Sequence, residues 1–329
     1  VNAARTYLPK KKWKRPPRPE APAFEGPDGA PSVALEPLER VAKDMREAAA
    51  TLTEAEARYL VDLYYTMQDH RIAADGQVRS LEKLAEPHRT VLWFAWQMAG
   101  LENQVATVLD AYSASKPLGV WARSITGVGP IIAAGLLAHI DLTKAPTVGH
   151  IWRFAGLDPT VKWEKKQKRP WNAKLKVLCA YKLGDSFVKV QNNENDIYGK
   201  IYAKRKEEEI ARNEAGLNAE ASKRALEEKT WRDDTTAKAC YMAGKFPPAR
   251  IHARARRYAV KLFLSSYHCV GYYLTYGKLP PLPYAIGILG HAHLFSPPNA
   301  EAVPGLQEAL DHYTREAVPP VQGTPLAPD

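Results

Sequence analysis

The residues with the clearest chemical potential in this chain of 329 residues are glycines at a turn and two clusters of cations. The turn is Ile125-Thr126-Gly127-Val128-Gly129-Pro130, followed by the apolar run Ile131 to Leu137. Gly127 and Gly129 admit backbone conformations closed to other residues and leave no side chain between the main chain and a ligand. Val128 is placed to tuck between the flanking helices. Pro130 at the first helical position gives up an N–H that has no partner inside the helix anyway. The N–H groups that follow lie at the positive end of the helix dipole, where a phosphate is stabilised. Together with Arg123 just before the turn, this is a helix-hairpin-helix pattern, which grips a nucleic-acid backbone without reading bases. The same residues also suit a plain helical turn whose glycines serve only packing.

The first cation cluster runs from Lys162 to Lys176. It holds Lys162, Lys165, Lys166, Lys168, Arg169, Lys174 and Lys176, opposed only by Glu164 and interleaved with Trp163 and Trp171. Long cations beside flat rings suit phosphates together with exposed bases or sugars. The second cluster is Arg250, Arg254, Arg257 and Lys261, whose spacings of four, three and four put them on one helix face. A third basic stretch lies near the start: Arg5, Lys10, Lys11, Lys12, Lys14, Arg15 and Arg18 precede the first acid, Glu20. Any one such run reads equally as a solvated face. Three of them beside a phosphate-suited turn are better explained by nucleic acid.

Other chemistry is thinner. Asp185, Glu194, Asp196, Asp233 and Asp234 could bind Mg2+ if they converged as in a two-metal nuclease. No other cofactor is expected. His291-Ala292-His293 and His268-Cys269 lack a zinc spacing. Cys179, Cys240 and Cys269 lie far apart without a CxxC, which fits a reducing compartment. No Walker loop or GxGxxG is present, and Gly184-Asp185-Ser186 lacks the flanks of a nucleophile elbow.

The elements that must position these residues read as all-α. Thr53 with Glu56 forms a capping box, and Ala57, Leu60, Leu63 and Tyr64 then recur at helical spacing. A turn is expected at Asp75-Gly76. From His88 to Ser113 apolar residues repeat over about seven turns, long enough to pack on a partner helix in this chain or in a second copy, as a coiled coil. Residues 161–205 read as basic helix, 206–235 as a solvated helical excursion, and about 249–276 as a last strong helix. The expected organisation is a disordered basic tail at 1–38, a helical region at 39–116 with the packing or dimerising helix, a binding domain at 117–280, and a Pro-rich, acidic tail at 281–329.

Composition sets the outer bounds. Lys and Arg number 46 against 36 Asp and Glu, a formal charge of +10, and apolar residues make up 45%. Such a chain folds, and its excess charge favours polyanions. No apolar run is long enough to span a bilayer, so a membrane is not among the expected partners.

Taken in order, several stretches resemble one family. They are Ser124 to Ala138, Phe154-Ala155-Gly156-Leu157-Asp158-Pro159, Lys168-Arg169-Pro170-Trp171-Asn172 with Lys174-Leu175, Tyr198 and Tyr202 before Lys204-Arg205, and the late Arg/Ala-rich helix. This set is similar to the C-terminal domain of the insertion-sequence 110/116/902 transposases, the DEDD-type recombinases, over roughly residues 88–276. The helix at 88–113 resembles the coiled coil that precedes that domain. Two departures stand out. Residues 1–50 hold no apolar strand followed by Asp, with which the family's RNase-H-like catalytic domain begins, and no serine lies between Ser124 and Ser186, where the family places a catalytic one. The resemblance therefore implies nucleic-acid binding in transposition or recombination without strand transfer by this chain. The partner would be DNA, with RNA as the alternative, alongside a homodimer through residues 88–113 and a separate catalytic subunit. The expected location is cytoplasmic, at a bacterial or phage nucleoid. An active recombinase or Mg2+ nuclease with a rearranged site, and a structural helical partner-binding protein, stand as alternatives.

Overall fold

A computed structural model describes residues 41–164, 166–281 and 296–317. The basic tail expected at 1–38 lies outside these residues, as do Lys165, His291 and His293. Every regular element among the described residues is helical, as expected. The chain divides into two compact units. The described part of the first is residues 41–123 and 129–140, and that of the second is 124–128, 141–281 and 296–317.

The first unit holds α1 (Lys43–Ala48), α2 (Glu54–Glu82), α3 (Arg89–Ser115), nearly all of α4 (Pro117–Ser124) and α5 (Pro130–His139). The capping box at the start of α2 forms as read: Thr53 Oγ1 accepts from Glu56 N–H, and Thr53 N–H donates to Glu56 Oε2 at 2.8 Å. The expected turn at Asp75-Gly76 does not form, and α2 runs straight through it. Arg71 accounts for this. It pairs with Asp75 at 3.0 Å one turn on and with Glu102 of α3 at 2.5 Å, and Arg79 Nε donates to Asp75 O. These bonds offset the roughly 1 kcal/mol that a helical glycine costs. Ala57 and Val61 of α2, Val105, Leu109 and Tyr112 of α3, and Ile131 and Ala134 of α5 form the core of this unit. The long helix is thus packed within its own chain. Val91, Phe94 and Leu101 of α3 remain exposed.

In the second unit α6 (Val148–Phe154) precedes an irregular stretch, residues 155–172, whose part from 161 onward was expected to be basic helix. Then α7 (Ala173–Val177) passes through a π-helical turn, Leu178–Leu183, into α8 (Gly184–Val190). Next come α9 (Tyr198–Glu214), α10 (Ala219–Glu227), α11 (Thr236–Met242) and the spine of the unit, α12 (Pro248–Tyr276). Phe187 of α8 stacks on Tyr198 of α9 at 5.1 Å and meets Phe263 of α12 at 5.6 Å. Tyr198 donates from its hydroxyl to Ser266 Oγ at 2.9 Å.

The helical excursion is better anchored than its composition suggests. Trp231 and Leu226 pack on a small core of Tyr241, Phe246 and Ile251. Buried Asn213 clamps Phe246, accepting from its N–H at 2.8 Å and donating to its carbonyl at 3.1 Å. The tail expected from residue 281 is also folded in part. Residues 306–317 form α13 (Leu306–Ala317), and Asn299 Nδ2 donates to Ser124 Oγ at 2.8 Å. Leu306 and Leu310 are buried, which a Pro-rich composition averaged over 281–329 conceals. Among the described residues no helix is long and apolar enough to cross a membrane.

Candidate nucleic-acid interface

The two cation clusters, 74 positions apart at their nearest members, meet in the second unit. The meeting point is Lys176 on α7. Its ammonium is held below the usual lysine value by partial burial and by the positive charges of Arg257 and Arg169. Arg257 is likewise lowered, first by burial and then by Arg254, Arg256 and Arg250, with Tyr181 of the π turn acting in the opposite sense. Among the described residues, neither Lys176 nor Arg257 has a carboxylate within ion-pair distance.

The positions of these cations follow from local structure. Gly156, at φ +62°, turns the chain after α6. A Cβ there would lie 2.8 Å from Trp171 Cγ and 2.9 Å from Lys176 Cδ, so glycine lets this ring and this cation settle against the backbone. Lys176 Nζ sits 4.0 Å from the centre of the Trp171 ring. Asn172 N–H donates to Phe154 O at 2.9 Å, and its side chain caps α7 by accepting from Leu175 N–H. Trp171 meets Trp163 edge-on at 6.4 Å, and the Arg169 guanidinium lies 5.4 Å from the Trp163 ring centre. Lys162, Lys166, Lys168 and Lys174 are exposed around this frame, and Lys165 is not among the described residues.

On α12 the four cations share a face but have different surroundings. Arg250 lies 3.9 Å over the Phe246 ring and donates to Tyr241 Oη. Arg254 pairs at 2.9 Å with Glu209 of α9, a fully buried carboxylate that also takes Arg205 at 2.6 Å. Lys261 rests 4.0 Å over Trp152, is lowered by burial, and has Asp158 as an opposing charge. Arg257 has the cations Arg254, Arg256 and Arg250 around it. Arg256, Glu209, Tyr181 and Trp152 went unread in the sequence, and Arg205 entered only as part of the family resemblance. Arg256 pairs with Asp185 and stacks 4.9 Å from the Tyr181 ring. Only its adjacency to Arg257 hinted at a role.

The glycine turn divides its labour unevenly. Gly127 takes φ +93°, its carbonyl accepts from Ser186 Oγ at 2.5 Å, and a Cβ on it would press within 3.1 Å of Phe187. Gly129 needs no such freedom. Its φ is −88°, and a Cβ there would meet nothing within 4 Å. Val128 is buried, and its N–H donates to Ile125 O. Pro130 opens α5 as read, so the N–H groups of Ile131 and Ile132 have no acceptor inside the helix. Arg123, in the first unit, is engaged by Asp110 at 2.5 Å and by the Asp110 carbonyl at 3.1 Å.

Four of the five acids considered as metal ligands, all but Glu194, have separate tasks. Asp196 caps α9, accepting from the N–H groups of Gly199 and Lys200. Asp185 pairs with Arg256, Asp233 with Lys238 and Asp234 with Arg232. Among the described residues no group of three or more His, Cys, Asp or Glu could hold a metal ion. His268 is buried and its Nε2–H donates to Ala145 O at 2.8 Å, while burial pushes the Cys179 and Cys269 thiols up to about 12.

Residues 121–168 match the Transposase IS116/IS110/IS902 family. The match covers the glycine turn, α6 and most of the first basic cluster, and it ends before α12. No curated protein and no solved structure matches the chain.

Proposed function

We propose that this chain binds nucleic acid, DNA in the first instance, and serves as the binding part of a transposition or recombination reaction. The observation that carries this reading is the convergence of Lys176, Arg169 and Arg257 without a carboxylate to neutralise them. Like charges that depress one another's proton affinity oppose folding. A polyanion offsets that repulsion when bound, and releases its condensed counterions as it does so. The family match over 121–168 supports the transposition context.

The affinity of the full chain for a DNA duplex, followed by anisotropy across a salt series, tests the proposal. If about six phosphates are neutralised, log affinity falls against log salt with a slope near −5. Arg257→Ala is expected to weaken binding to all sequences alike and to reduce the slope by about 1. Binding that ignores salt, or an Arg257→Ala protein that matches the parent at every salt concentration, would refute the reading.

The turn gives a second, independent check. Because Gly129 has ordinary backbone angles and open space at its Cβ position, Gly129→Ala is expected to leave the melting temperature unchanged. If a phosphate approaches the start of α5, as proposed for the helix-hairpin-helix, the added methyl stands in its path and affinity drops several-fold. Unchanged affinity would remove the turn from the interface and leave the cation face standing.

A further inference from the structure

Trp163 has a property the phosphate-binding reading does not use. Its indole Nε1–H already donates to Gln167 O at 2.8 Å, inside a turn closed by Gln167 N–H to Glu164 O. The ring is held edge-on to Trp171, which is itself seated on Gly156, so its position is set before any partner arrives. Yet the residue is 39% exposed. An indole whose only hydrogen-bond donor is occupied offers a partner nothing but its π surface. The Arg169 guanidinium lies 5.4 Å from its ring centre and Lys176 sits over the neighbouring Trp171, so phosphates are drawn beside it.

A closed duplex cannot use such a ring, because each base face is covered by its neighbours in the stack. An unpaired base can, whether it lies in a single strand, at an end or in an opened junction. We infer that Trp163 is a stacking platform for an unpaired base, so that the second unit takes single-stranded or locally opened nucleic acid in preference to closed duplex. The inference rests on the nucleic-acid reading above and narrows it. Stacking tolerates any base, so the preference is for strand state and not for sequence.

The test compares the full chain on labelled oligothymidine, oligouridine and a DNA duplex of equal length at one salt concentration. Single strands are expected to bind more tightly than the duplex. Trp163→Leu is expected to lose about ten-fold on single strands and much less on the duplex. Trp163→Phe, which keeps an aromatic face, should retain most of the affinity, and melting curves of both variants should match the parent. The tighter of the two single strands identifies the polymer as DNA or RNA. Equal affinity for duplex and single strand, or a Trp163→Leu protein that binds single strands as the parent does, overturns the inference while leaving the phosphate reading intact. Failure to bind any of the three polymers at low salt overturns both.

Discussion

Phe187→Ala is expected to lower the unfolding midpoint of the second unit by roughly 10 °C. The ring is fully buried, stacks on Tyr198 at 5.1 Å and meets Phe263 at 5.6 Å, so three helices close on it. Truncating a buried phenylalanine costs about 3–5 kcal/mol, part transfer and part cavity. In a unit of this size each kcal/mol shifts the midpoint by roughly 2–4 °C. The same ring lies under the glycine turn, where an added Cβ on Gly127 would come within 3.1 Å of it. Its loss should therefore also loosen the turn and expose the Gly127 carbonyl bond from Ser186 Oγ to solvent. Calorimetry on the full chain checks this, and the two units should be allowed separate transitions. A midpoint within about 2 °C of the parent would mean that the α8–α9–α12 contact is not the centre of this unit's stability. Phe187→Leu, which keeps much of the volume, should fall between the two.

Helices with strong apolar periodicity were legible in the sequence because their burial follows from local spacing. The capping box at Thr53, the helix from about 89 to 115 and the spine at 248–276 all lie close to where the pattern put them. Gly76 misled because a glycine beside an aspartate is a turn signal only when nothing else ties the segment, and Arg71 and Arg79 hold Asp75 from both sides. The irregular stretch at 155–172 and the π turn at 178–183 had no signature, since each is set by contacts distant in sequence, such as Asn172 with Phe154 and Arg256 with Asp185. The cation clusters were visible as runs and periodicities. Which of their members stay unneutralised was not, because that depends on Glu209 and Asp158 arriving from distant parts of the chain. Arg254 and Arg257 look identical in the pattern, and the fold gives one a buried carboxylate and the other three neighbouring arginines.

That difference makes Glu209→Gln the most informative single change, because it should move stability and binding in opposite directions. Glu209 is fully buried between Arg205 at 2.6 Å and Arg254 at 2.9 Å. Burial pulls its carboxyl upward, but the two guanidiniums more than offset this and hold it below the usual value of 4.5. A carboxyl lowered in the folded state binds its proton less readily there than in the unfolded chain. Its stabilisation is therefore complete above the unfolded value and is lost as pH falls through the folded one. Removing one partner of a buried pair usually costs about 3–5 kcal/mol. Here the guanidiniums are 29% and 37% exposed and can turn to water, so a loss of about 2 kcal/mol is expected at neutral pH. That loss should shrink on acidification, since the parent forfeits the same ion pairs and the glutamine variant has none to forfeit. The variant also frees Arg254 beside Arg257, adding to the cation face, while Arg205 keeps Glu208 at 3.4 Å. Its affinity for polyanions should rise and its salt slope steepen by about 1. Urea titrations at neutral and acidic pH, with a salt series on the same preparations, read both effects. A variant as stable as its parent would show that the buried triad contributes nothing to the fold, and one that loses affinity would show that Arg254 reaches its partner only when Glu209 orients it.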